Sequence, residues 1–194
     1  MTIFTDILNK GRTGMQSPGL KDSRDWFREK ARAVASVNTS RLVSGNPKHQ
    51  RTIVLPGNMY MFSYEAKYKE TLPFYDRFPL VFPFHVESDS FTGINLHYLP
   101  HILRAKLMDA LYDLATNVRF DEKTKLRLSY TVLNSSSRYK YFEPCVKKYL
   151  FTHTKSRFLM VPSNEWDIAL FLPLERFTVN KSIVYKNTLE QIGR

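Results

Sequence analysis

Between residues 138 and 157 the sequence sets six cations, Arg138, Lys140, Lys147, Lys148, Lys155 and Arg157, against one acid, Glu143, and threads them with Tyr139, Tyr141, Phe142, Tyr149 and Phe151. Lysine and arginine neutralise phosphates with release of counterions, and aromatic faces stack on exposed bases, so this mixture suits a nucleic acid. A second cluster, Arg24, Arg28 and Arg32, has the i, i+4, i+8 spacing of one helical face. The competing reading is a solvated basic surface whose aromatics belong to a core. The chain's 29 Lys and Arg against 18 Asp and Glu, a net charge of +11, favour a polyanionic partner. No base-reading motif is visible, so contact is predicted through phosphates and shape.

Other chemistries find less support. His97 and His101 are four apart, but Pro100 between them breaks a common helical face. Neither a His-Glu-x-x-His run nor a Cys/His cluster accompanies His49, His85 or His153, so no metal site is predicted. His97 reads as a partly buried side chain bonded to backbone. Cys145 reads as a small hydrophobe near lysines. A Cys145 and histidine pair is the remaining catalytic alternative, because sequence does not show which of them are neighbours. The seven glycines are scattered rather than set in a phosphate-cradling loop. Glu165 and Asp167 flank Trp166 and read as solvent-facing on an extended chain. The prediction is therefore no enzyme, no cofactor and no small-molecule substrate.

These residues need a scaffold, and 43% hydrophobic with 14% aromatic residues in 194 supply one ordinary domain. The longest apolar stretches, such as Ile168 to Leu174, fall short of the ~20 residues of a membrane span. The N-terminal residues carry no export pattern, and one cysteine offers no internal disulfide. Net charge runs +6 over residues 1–56, −2 over 57–118 and +7 over 119–194, so basic flanks surround a neutral centre.

Turn-rich residues 1–20, with Gly11, Gly14 and Gly19, are predicted to be an arm. Residues 21–177 are predicted to be a single α+β domain, and 178–194 a C-terminal tail with little to bury. Asp22 is a cap candidate, and Trp26, Phe27, Ala31, Val34 and Val37 recur at helical spacing up to the breaker Ser44-Gly45-Asn46-Pro47. Strands are predicted at Met59 to Tyr64, at Phe78 to Val86 and at Phe91 to Tyr98. Pro79 and Pro83 demote the second to an edge or a broken strand, and Gly93 marks a bulge or close approach in the third. A helix is expected from Pro100 to Asn117 with an apolar stripe including Leu107 and Leu111, and a half-buried strand from Lys125 to Leu133. Phe142 to Phe151 reads as a short helix, Phe158 to Val161 as a strand, and Ile168 to Leu172 as a buried segment of either kind. Together these suggest a small SH3-like or strongly bent β-barrel between about Thr52 and Val132, with packed helices.

The run Gly57-Asn58-Met59-Tyr60-Met61-Phe62-Ser63-Tyr64, continuing through Lys67-Tyr68-Lys69-Glu70-Thr71-Leu72-Pro73-Phe74-Tyr75-Asp76-Arg77-Phe78-Pro79, is dense in Tyr, Phe and Pro. With Gly93 to Pro100, Phe142 to Lys148, Lys155 to Phe158 and Glu165 to Pro173, it resembles a family of virion proteins in T4-like and cyanobacterial tailed bacteriophages, over residues 23–177. Members of that family are DNA end protectors, thought to shield genome termini after packaging. The resemblance implies a non-enzymatic virion protein found in the virion, and in host cytoplasm during assembly, with DNA and other virion proteins as partners. The alternative is a neck, tail or baseplate subunit that holds virion proteins together through its arm and aromatic surface. Physically, Leu72 to Pro79 reads as a rigid loop in which two prolines fix φ and Asp76 and Arg77 are available for local hydrogen bonds.

Overall fold

In the computed structural model, which describes residues 34, 36–100, 103–104, 119, 121, 124, 130–132, 134–135 and 142–193, the aromatic run around Met59 lies in the middle of a sheet. The elements are helix α1 (Thr39–Ser44), strands β1 (Gln50–Arg51), β2 (Met59–Met61), β3 (Leu80–Val86), β4 (Ser90–Asn95), β5 (Val146–Leu150) and β6 (Phe158–Val161), and helices α2 (Trp166–Phe171) and α3 (Lys181–Gly193). The six strands pair antiparallel in the order β1-β6-β2-β3-β4-β5.

Strand side chains alternate between faces, and here both faces are covered. Met59, Met61, Leu80, Phe82, Ile94, Leu159 and Val161 face one way, into a core shared with Trp166, Leu170, Leu174 and Val184. Tyr60, Phe62, Val81, Phe91, Tyr149 and Phe158 face the other way and form a second core. Phe62 is its hub, meeting Tyr64, Phe91, Tyr149 and Phe158 edge-on at 5.1 to 6.1 Å between ring centres, the geometry that aromatic quadrupoles favour. On the first face Trp166 donates to the Val161 carbonyl at 3.0 Å and packs edge-on against Phe82 at 4.8 Å.

The α+β class holds, but the sheet is open, with β1 and β5 as its edges. Closure would hide an inner face that has no other cover; here helices cover one face and loop residues such as Val54, Tyr64 and Ala66 seal the other. The sheet also takes strands from beyond Val132. Pro83 lies inside a central strand rather than on an edge, at the point where the β3–β4 register shifts. Pairing of β3 with β2 ends at Tyr60↔Val81, so the missing amide breaks no ladder bond on that side, while the Pro83 carbonyl accepts from Gly57. Gly57 has φ +88°, a backbone that suits glycine, in the turn at Pro56-Gly57. Gly93 is a close approach, as expected: a Cβ there would lie 2.4 Å from Val81 Cγ1 and 2.7 Å from the Phe82 oxygen.

Other expectations change. Residues 36–38 are not helical; α1 starts afresh at Thr39, capped by Asn38, whose side chain accepts from Arg41 at 3.0 Å, and ends at Ser44 as the breaker implies. Tyr130, Thr131 and Val132 are helical, not a strand. Phe142 to Phe151 contains β5 flanked by single turns of 3-10 helix, because residues 146–150 pair with β4. Residues after Phe177 do bury surface: α3 places Val184 and Thr188 in the interior. Glu165 is buried rather than solvent-facing. Leu103 and Arg104 are helical, consistent with a start at Pro100. The rest of that helix, including Leu107 and Leu111, the arm and the helix around Trp26 lie outside the described residues.

Candidate nucleic-acid interface

The loop from β2 to β3, strand β5 and helix α3 enclose a groove of about 480 Å³. The loop is anchored at its base, where Glu65 N donates to the His153 carbonyl at 3.1 Å and Lys155 N to the Ser63 carbonyl at 2.8 Å. Tight turns, with Thr71 N and Leu72 N both donating to the Tyr68 carbonyl at 3.0 Å, then present Tyr68 on the rim, 62% exposed. Helix α3 closes the far side. Asn180 caps it, accepting from Ser182 N at 3.0 Å, and Thr188 ties it down by donating to the Tyr98 carbonyl at 3.0 Å. Asn187 and Gln191 thereby line the groove opposite the loop.

Three lysines, Lys67, Lys147 and Lys148, line this groove and differ in electrostatic state, and the two on β5, being consecutive, point to opposite faces of the sheet. Lys148 is committed to Glu87 at 2.7 Å; that bond raises the lysine and, with Ser90, holds the Glu87 carboxyl at about 2. Lys147 stands over the Tyr98 ring at 4.5 Å and pairs with no carboxylate among the described residues. Burial pulls its ammonium below the ordinary lysine value. Lys67 is exposed, beside Tyr68 at 5.3 Å. The acid on the lining, Asp76, is 2% exposed and already engaged.

Behind the groove runs a buried polar network. Asp76 Oδ2 lies 2.6 Å from His97 Nδ1, and Asn95 donates to the Tyr149 hydroxyl at 2.9 Å. Asp76 Oδ1 accepts from the amides of Phe78 at 3.1 Å and Arg176 at 3.3 Å. Arg104 donates to the Leu99, Leu170 and His97 carbonyls and to the Tyr185 hydroxyl at 2.7 to 3.0 Å, and Tyr185 donates to Glu175 at 2.9 Å. His97 is thus fully buried on a carboxylate, not partly buried on backbone. It is sealed from the groove lining, and Cys145 is fully buried with burial pushing its thiol up to about 12. Neither group is placed to act on a substrate. This network fixes the 72–79 loop to the end of β4.

Of the predicted contact residues, Lys147 and Lys148 line the groove, Lys155 lies nearby in an ion pair with Glu65 at 3.2 Å, and Arg157 is exposed just before β6. Arg24, Arg28, Arg32, Arg138 and Lys140 lie outside the described residues. The aromatics interleaved with the described lysines are not free to stack: Tyr149 is 4% exposed, and Phe142 and Phe151 pack against the two cores. The rim aromatic is Tyr68, which the basic interval did not include. Its signal was the Lys67-Tyr68-Lys69 triplet, the same basic and aromatic mixture in miniature.

A family model described as phage T4 terminal DNA protecting protein matches residues 6–189. No curated protein and no solved structure matches the chain.

Proposed function

The chain belongs to the phage T4 terminal DNA protecting protein family, and from that premise we propose that it covers the ends of a phage genome by non-covalent contact rather than by catalysis. The observation that carries this reading is the basic edge of the sheet at the groove, where Lys147 on the groove side and Lys148 on the other face of β5, with Lys155 and Arg157 beyond them, offer cations to phosphates. Lys147 supports it best: a half-buried ammonium without a carboxylate among its described neighbours gains most from an incoming anion. The sealing of His97 and Cys145 supports a protective rather than a hydrolytic role. The site of action is the virion, reached from host cytoplasm during assembly, where other virion proteins hold the protein in place.

Charge reversal of Lys147 and Lys148 to Glu tests this. Binding to linear duplex at low salt should weaken at least tenfold, and the DNA ends should become open to exonuclease. The Lys148–Glu87 pair is exposed and screened by solvent, so its loss leaves the fold intact, and circular dichroism of the variant checks that the half-buried position 147 accepts Glu. If the double variant held duplex ends as tightly as wild type, the DNA reading would give way to the neck, tail or baseplate subunit, which needs no phosphate contact.

A further inference from the structure

We propose that the groove between Tyr68, Tyr98 and α3 receives an unpaired nucleotide at the DNA terminus, so that the protein prefers an overhanging end to a blunt one. This rests on the end-protection reading and specifies what part of the end is held.

Size comes first. A volume of about 480 Å³ falls in the ~300–1,000 Å³ range of pockets that enclose small organic ligands. A double helix does not fit, since its major groove alone is ~12 Å wide. There is room for about one or two nucleotides.

The chemistry of the lining then narrows the occupant. Ala66, Leu72, Pro73 and Phe74 make an apolar flank, and Tyr68 stands at the mouth with most of its ring in solvent. Such a surface accepts a flat, partly apolar body, and an aromatic ring at the mouth stacks on any base without regard to sequence. The available charge is of one sign. Asp76 is turned into its bonds with His97, Phe78 and Arg176, leaving Lys147 and Lys67 as the charges facing the space, while Lys148, next along β5, turns to Glu87 on the other face of the sheet. A ligand that pairs a flat ring with a negative group is a nucleotide. Lys147 Nζ is held over Tyr98 at 4.5 Å, which sets the phosphate position on the β5 side. On the opposite wall Asn187 and Gln191 share one hydrogen bond, Gln191 Nε2 to Asn187 Oδ1, and so each keeps an unused amide atom for a base edge. Phosphate on one wall and base on the other describe a chain end entering from the rim.

The test is fluorescence anisotropy with the full-length chain on one duplex sequence prepared with hairpin-closed ends, with blunt ends, and with one, two or six unpaired nucleotides. Blunt ends should bind better than closed ends. The first one or two unpaired nucleotides should add about tenfold, the order of a single base stack, and longer overhangs nothing further. Tyr68→Ala should collapse the ratio of overhanging to blunt affinity toward one, and Tyr68→Phe should keep it; Tyr68 is exposed enough for both variants to fold. Asn187→Ala should reduce the same ratio. Equal affinity for blunt and overhanging ends, both above closed ends, would overturn the pocket and leave end protection standing. Closed duplex bound as well as every open end would remove both. A gain that keeps rising through six nucleotides would mean a single-strand track in place of a terminal pocket, and a free deoxynucleoside monophosphate bound as tightly as the overhanging duplex would mean a nucleotide site unrelated to ends.

Discussion

Glu175 is a carboxylate with 3% of its side chain exposed, 3.5 Å from a fully buried Arg104. Burial alone would raise it. Arg104 and His97, its own backbone amide and the Tyr185 hydroxyl outweigh burial and bring it to about 2 from an ordinary 4.5. A carboxyl whose folded value lies below its unfolded value stabilises the fold fully above about 4.5, and that contribution disappears as pH falls through about 2. Melting temperature should therefore be flat above about pH 5 and drop through that window. Glu175→Gln should flatten this acid limb while lowering stability at neutral pH by about 3 kcal/mol, because it leaves Arg104 without its counter-charge; melting curves from pH 2 to 7 compare the two. Nothing in Leu174-Glu175-Arg176 announces this role, since burial of a charge depends on partners distant in sequence. The same holds for His97, whose partner Asp76 was legible only as a residue able to make local bonds.

At the scale of elements, the β3–β4 hairpin shows what periodicity and turn chemistry convey. Its turn has Glu87 N donating to the Ser90 carbonyl at 2.8 Å across the turn-forming residues Ser88-Asp89-Ser90, and the need for glycine at 93 was readable from an isolated Gly in a strand pattern. Gly93→Ala drives a methyl into Val81 and the β3 backbone, so it should cost ~1–3 kcal/mol, measured by urea unfolding; wild-type stability would mean that β3 and β4 separate more easily than their pairing implies. Strand β6 was also legible. Strand β5 was not: Phe142, Val146, Tyr149 and Leu150 are spaced as on a helix, yet pairing from Ser90↔Leu150 to Ile94↔Val146 sets the conformation. Tyr130 to Val132 erred in the opposite direction, an alternating pattern that is helical. Helix α3 escaped notice because it buries only Val184 and Thr188, too little to make an apolar stripe. Half of the groove wall was consequently invisible in the sequence, although its lysines were not.

For the whole molecule the +11 charge sets behaviour toward a polyanion. If Lys147, Lys148, Lys155 and Arg157 each neutralise one phosphate, log affinity for duplex ends should fall against log salt with a slope of about −3.6, and the Lys147, Lys148 double reversal should bring it to about −1.8 or shallower. Titration from 50 to 200 mM salt reads both. The order of strands carries a different consequence. Strand β6 joins β1 to β2, and the groove needs residues 64–76 and 144–191 together. A ribosome making this chain must therefore release the segment through Val161 before the sheet is complete and through Gln191 before the groove is. On the proposed function, a chain cut short of α3 lacks one wall of the groove and so leaves no partial copy able to compete with finished ones for a terminus.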